Sequence, residues 1–209
     1  AVMEREKRLQ GIVFLGGRFD YTPADLAMLN VPFVCCSYSN RYGTLIEGEY
    51  SSVSIADGDT AQQAVEELYR HGHRRIAALI SRPNDQSISQ LRYEGYVQAL
   101  ESHGIPVDPE LVISTGGFGA KDAYRAVQEK MAENVDFTAL FAIADSMAIG
   151  AMRALMDAGR RIPEDCSVIA IDGLELSAYI EPPLTTLCQP MEEMGRRSAE
   201  ILLDMVRHK

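Results

Sequence analysis

The sequence predicts a doubly wound α/β fold around a parallel sheet. Three observations carry this expectation: six short, continuous apolar runs, segments of helical periodicity between them, and glycines that close three of those segments. Apolar runs without alternation suit strands buried on both faces, as in a parallel sheet covered by helices. The strand–helix alternation then leaves few topologies, because crossovers between parallel strands are right-handed.

In chain order the runs are Gly11 to Leu15, Val31 to Cys36, Arg75 to Ile80, Glu110 to Ser114, Thr138 to Ala144 and Ser167 to Ile171. Helical spacing of apolar residues marks four segments: Ala61, Ala64, Val65 and Leu68; Tyr96, Ala99 and Leu100; Ala123, Val127 and Met131; Ala148, Met152 and Leu155. Gly72, Gly104 and Gly159 stand where a helix ends on a left-handed residue. Ala1 to Leu9 reads as the tail of a helix, and Met191 to Val206 as a closing helix, so the sequence reads as an internal fragment of a longer chain.

The 209 residues are 46% hydrophobic, enough for a sizeable core, and no stretch approaches the roughly 20 apolar residues of a membrane span. A net charge of −10 repels phosphate backbones, which argues against nucleic-acid binding by this segment itself. Cys35, Cys36, Cys166 and Cys188 lack CxxC spacing. They read as reduced core thiols of a cytoplasmic protein, with no disulfide framework or metal site.

Ligands of open parallel sheets bind beyond the carboxyl ends of the strands, where loops and helix N-termini converge. Ser81, Phe118, Asp145 and Asp172 follow four of the expected strands and are the first candidates for a small-molecule pocket, with Phe118 as a stacking platform. Asp145 also fits a plain N-cap of the helix that follows. From its spacing Arg92 reads as a solvated side chain, against which stands the capacity of a guanidinium to grip a hydroxyl pair or carboxylate. His71 and His73 read as partners of free carbonyls at a helix C-terminus. Gly116 to Asp122 (GGFGAKD) imitates a phosphate loop, but an acid follows the lysine where a metal-binding hydroxyl belongs. No constellation for catalysis and no cofactor motif stands out.

The segments HGHRRIAAL (His71 to Leu79), LRYEGYVQALESHGI (Leu91 to Ile105), ADSMAIGAMRAL (Ala144 to Leu155), RIPEDCSVIAID (Arg161 to Asp172) and PPLTTLCQPMEEMGRRSAEILL (Pro182 to Leu203) resemble successive segments of the lactose/galactose-repressor family. The resemblance implies two α/β subdomains of the periplasmic-binding-protein type, with an effector in the cleft between them. It assigns residues 1–54 and 188–209 to an incomplete first subdomain and 55–187 to the second. The effector contacts it implies are Arg92 as the gripping cation, Asp172 as hydroxyl acceptor, Phe118 as stacking partner, and Asp145, Ser37 and Gln189. Ser37, Ala144 and Gly173 stand where the family often has further polar contacts. The resemblance also implies a homodimer through Ile149, Met152 and Ile180, a sugar, sugar phosphate or nucleoside effector, and operator DNA bound only through a helix-turn-helix headpiece outside this segment. It implies no membrane partner and no enzymatic activity. An exported sugar-binding receptor and a nucleotide-using α/β enzyme are the alternatives.

Overall fold

A computed structural model describes residues 9–17, 19–46 and 48–208. The expected helix tail at Ala1 to Leu9 lies, up to residue 8, outside the described residues. By contacts the chain divides into two compact units: residues 1–55, 86–88 and 190–209, and residues 56–85 and 89–189.

The first unit holds a parallel sheet of order β1-β2-β3, formed by Ile12–Leu15, Phe33–Cys36 and Ser51–Val53. A short helix, α1 (Pro23–Leu26), links β1 to β2, and the closing helix α6 (Met191–Arg207) packs on the sheet through buried Met194 and Ser198. Beside it, Phe19 and Tyr38 are buried, and Tyr38 meets the rings of Phe19, Tyr21 and Tyr50.

The second unit is a five-stranded, wholly parallel sheet of order β5-β4-β6-β7-β8, from Val112–Ser114, Ile76–Ile80, Ala139–Ala142, Ser167–Asp172 and Thr185–Cys188. Every residue of β4 and β6 is buried, so helices must cover both faces, as the unbroken apolar runs require. The covering helices are α2 (Asp57–Arg70), α3 (Ile88–Ser102), α4 (Ala120–Ala132) and α5 (Asp145–Asp157). α2 lies against β6, β7 and β8; α4 packs along α5. Two glycines set these approaches. A Cβ on Gly95 of α3 would come within 2.1 Å of the Gly58 carbonyl oxygen, and one on Gly150 of α5 within 2.0 Å of that of Ala120. Gly72, Gly104 and Gly159 all have positive φ after their helices, as expected.

The elements differ from the sequence reading in three places. Residues Pro109–Leu111 form a 3-10 turn, so the run from Glu110 enters the sheet only at Val112. β3 and β8 went unpredicted: Ser51–Val53 is too short and polar, and Thr185–Cys188 too mixed, to read as buried runs. Cys188 is exposed, whereas Cys35, Cys36 and Cys166 are buried, and all four are free thiols. Among the described residues, no helix is long and apolar enough to cross a membrane.

Candidate functional site

From β4 the chain steps outward to β5, then returns past β4 to lay down β6, β7 and β8 on the other side. The connections leaving β4 and β6 therefore diverge, opening a crevice beyond their carboxyl ends, the usual ligand position of such sheets. Arg92 of α3 delivers its guanidinium there. Its Nη1 donates to the carbonyl oxygen of Ile143, just past β6, and to Asp172 Oδ1 at the end of β7 at 3.2 Å. Its Nε donates to Asp57 Oδ1 in the first turn of α2 at 2.9 Å.

Arg92 is 1% exposed, which overturns the solvated reading. The spacing held the signal: Arg92 lies four residues before Tyr96 and seven before Ala99, on the buried face of α3. A buried cation needs paired charge, and Asp57, 5% exposed, supplies it. Burial raises the Asp57 carboxyl above its ordinary range, the Arg92 charge and hydrogen bond oppose that shift, and Asp172 adds to it. Asp57 was missed because Ala56-Asp57-Gly58-Asp59 reads as ordinary helix-start chemistry. Nη2 of Arg92 lies 2.9 Å from the same Asp57 oxygen, yet it is not aligned for a hydrogen bond and remains a buried donor without one.

Asp172 is the open member of the cluster, with 21% of its side chain accessible. Gln189, just past β8, donates Nε2 to Asp172 Oδ1 at 2.7 Å, and its backbone N–H donates to the Asp172 carbonyl oxygen at 3.0 Å. Oδ2 of Asp172 receives only a long bond, 3.4 Å, from the backbone N–H of Asp145. Asp172 holds φ of 150°, a region that non-glycine residues rarely occupy and that recurs where a site over-determines the backbone. Gly173 follows at φ 75°, and a Cβ there would lie 2.6 Å from Cys188 Sγ, so this backbone excludes a larger residue at the trimmed position.

Asp145 does not cap its helix: Ala144 is the N-cap residue, and Asp145 begins the first turn. Its carboxylate is fully buried and accepts from the Leu174 N–H at 2.8 Å, Ser177 Oγ at 2.7 Å and Thr186 Oγ1 at 2.5 Å. Those bonds pin a 3-10 turn (Glu175–Ala178) and β8 to α5, which leaves Asp145 as framework rather than a group offered to a ligand. Ser81, 2% exposed, likewise spends its hydroxyl on Asp85 at 2.6 Å.

Phe118 stands in the loop before α4, 41% exposed, and its carbonyl oxygen accepts from Ser146 Oγ at 2.8 Å. Ser37 belongs to the first unit, where it has φ of 55° and its N–H donates to the Val53 carbonyl oxygen. Ile149 and Ile180 are half-buried. Met152 is 2% exposed and packs in the core. His71 does meet a carbonyl, that of Glu67, through Nδ1 at 2.9 Å. His73 instead bridges Thr138 Oγ1 and Ser167 Oγ, each at 3.0 Å.

Two depressions in this unit lie elsewhere. One of about 720 Å³ runs along α2 from Asp59 to Arg70, and one of about 380 Å³ is lined by His71, His73, Met152, Pro163 and Pro182 among others. Among the described residues, no group of three or more His, Cys, Asp or Glu could hold a metal ion.

The sequence model of the periplasmic binding protein-like domain matches residues 65–209. The HTH-type transcriptional regulator MalR of Clostridium butyricum is 36% identical over 203 residues, covering 97% of this chain and 60% of its own. The HTH-type transcriptional repressor CytR of Escherichia coli is 34% identical over 201 residues, 96% of this chain and 57% of its own. This chain thus spans under two thirds of the curated relatives it matches. A solved complex of the transcriptional regulator CelR with cellobiose superposes with a TM-score of 0.84 at 33% identity, covering all of this chain and 65% of that one. A LacI-family regulatory protein from Chloroflexus aggregans does so at 0.83 and 27% identity, covering 99% and 72%.

Proposed function

We propose, from the premise that this chain belongs to the periplasmic binding protein-like family in its LacI-type branch, that it is the effector-sensing part of a transcription regulator and not an enzyme. The observation that carries this reading is the Arg92–Asp172–Gln189 cluster. A buried cation and an accessible, strained carboxylate converge beyond the strand ends, held in place by groups that do not themselves react. Such a cluster offers an accessible, under-used acceptor in fixed position, which a sugar or nucleoside hydroxyl satisfies. Phe118 provides an exposed ring for stacking. In this reading Arg92, Asp172, Gln189 and Phe118 contact the effector.

The effector acts by binding one conformational state more tightly than another, and the difference sets its influence on operator binding through a headpiece. Ile149 and Ile180 contribute to a homodimer surface, and the protein works in the cytoplasm. The names of the relatives, all transcription regulators, favour this reading over an exported receptor. CelR, solved with cellobiose, makes oligosaccharides a first choice of probe.

The test is isothermal calorimetry with sugars and nucleosides that raise the melting temperature. Asp172→Asn and Phe118→Ala should each weaken the responding ligand, Asp172→Asn by about tenfold or more, which is ~1.4 kcal/mol. Unchanged affinity in both variants would refute the site.

A further inference from the structure

We propose that Asp57 makes this site selective for neutral polyhydroxyl effectors over phosphorylated or carboxylated ones. The inference rests on the effector site described above and narrows its ligand class.

Two carboxylates, Asp57 and Asp172, converge on a single guanidinium, and the backbone N–H of Asp145 meets the second of them. Among the described residues, no other arginine or lysine forms an ion pair with any of them. Asp57 is buried directly behind Arg92 and neutralises it from the protein side, with both Nε and Nη2 2.9 Å from one of its oxygens. The cation that would otherwise draw an anion into the crevice is therefore already matched. The accessible charge is that of Asp172, whose Oδ2 accepts only the long bond from the Asp145 N–H.

An anion presents acceptors only. It would find Arg92 Nη2 buried against Asp57, and it would meet Asp172 with like charge in a partly desolvated site, where the repulsion is far stronger than in water. The start of α5, which would ordinarily welcome an anion, has turned its Asp145 N–H toward the Asp172 carboxylate. A hydroxyl does better, since it can donate to the accessible Asp172 carboxylate while bringing no charge of its own. With a neutral residue in place of Asp57, Arg92 would be matched by Asp172 alone, and the cluster would lose the net negative charge that repels an anion.

The test measures matched pairs by calorimetry at fixed ionic strength: glucose and glucose 6-phosphate, cellobiose and cellobiose 6-phosphate, adenosine and adenosine monophosphate, with inorganic phosphate as competitor. In the wild-type protein the responding neutral compound should bind at least about tenfold more tightly than its phosphorylated partner, and phosphate should not compete. The ratio should shrink as salt is raised, because screening weakens the repulsion. Asp57→Asn should reduce the ratio at least threefold.

A phosphorylated compound that binds wild type as well as its neutral partner, and responds to Asp172→Asn, sinks the charge selection while leaving the site intact. A ratio that neither salt nor Asp57→Asn alters assigns discrimination to shape and overturns the role of Asp57. The salt series needs no variant, so it decides the charge selection even if Asp57→Asn does not fold. A panel in which no affinity responds to Asp172→Asn removes the site, and this inference with it.

Discussion

At the carboxyl ends of β6 and β7, a buried guanidinium is held between buried Asp57 and the strained, partly accessible Asp172. At the amino ends of the same two strands, the tie is an imidazole between two hydroxyls, His73 with Thr138 and Ser167. Both ends join neighbouring strands, and both satisfy polar atoms at a sheet edge. They differ in what is left over. The amino end uses both ring nitrogens, whereas the carboxyl end retains a donor on Arg92 and an accessible oxygen on Asp172. Charge kept buried with unused hydrogen-bonding capacity costs stability, and its presence at one end only is the asymmetry on which the proposed effector site rests.

Substitutions should reproduce this asymmetry. The largest effect is expected for Arg92→Ala, which strands Asp57 in the interior. Unfolding by urea should show a loss of about 3–5 kcal/mol, the range for breaking a buried ion pair. A loss below 1 kcal/mol would mean that the cluster is far better hydrated than its burial indicates.

Next comes Asp145→Ala, which leaves the Leu174 N–H and the Ser177 and Thr186 hydroxyls without their acceptor. We expect a loss of about 3 kcal/mol, given 1–3 kcal/mol per buried group left unsatisfied. Hydrogen exchange should accelerate in residues 174–186 before it does in β4. Uniform acceleration across the sheet would contradict the pinning role.

At the amino end, His73→Asn should cost only about 1 kcal/mol at pH 7.5, as for an ordinary hydrogen bond. Burial, with the nearby His71 charge, lowers the His73 pKa from 6.5. The unfolded chain therefore takes up the proton first. The stabilisation is complete above about pH 6.5 and is lost as pH falls through the lower folded-state value. Melting temperatures of wild type and His73→Asn should converge between pH 7.5 and 5; parallel curves would show that His73 does not carry this dependence.

The smallest effect concerns thiol reactivity. Burial pushes the Cys35 thiol up to about 11 and the Cys166 thiol up to about 12, whereas Cys188 is exposed beside Gly173. A thiol reagent at pH 8 should label Cys188 first, the other two only on unfolding, and a bound effector should slow the first labelling without affecting the rest. Equal rates at all three would place the site away from Cys188.

The apolar runs and helical spacings located six of the eight described strands and the buried faces of α2, α4 and α5, because burial on both faces writes itself as an unbroken apolar run. Thr185–Cys188 left no such trace, being an edge strand whose place depends on pairing with β7 and on the grip of Asp145 on Thr186. Of the site, Asp172 and Phe118 could be proposed from their positions after strands. Arg92 shares the spacing of Tyr96 and Ala99 but reads as solvated because charged residues are seldom fully buried, and the resemblance to repressors reverses that reading.

The sequence by itself determined the alternation of strand and helix, the parallel sheet and the strand ends from which polar residues project, because these follow from local periodicity. Only the tertiary structure decided which polar groups meet. Asp57 and Arg92 are 35 residues apart and Arg92 and Asp172 are 80 apart, and no local pattern encodes a contact between charges brought together by separate crossovers. The strand order did so by placing the ends of β6 and β7 side by side beneath the start of α3. It also separated Asp145, absorbed into the framework, from Asp172, left open to solvent, although both are acids that follow a buried strand.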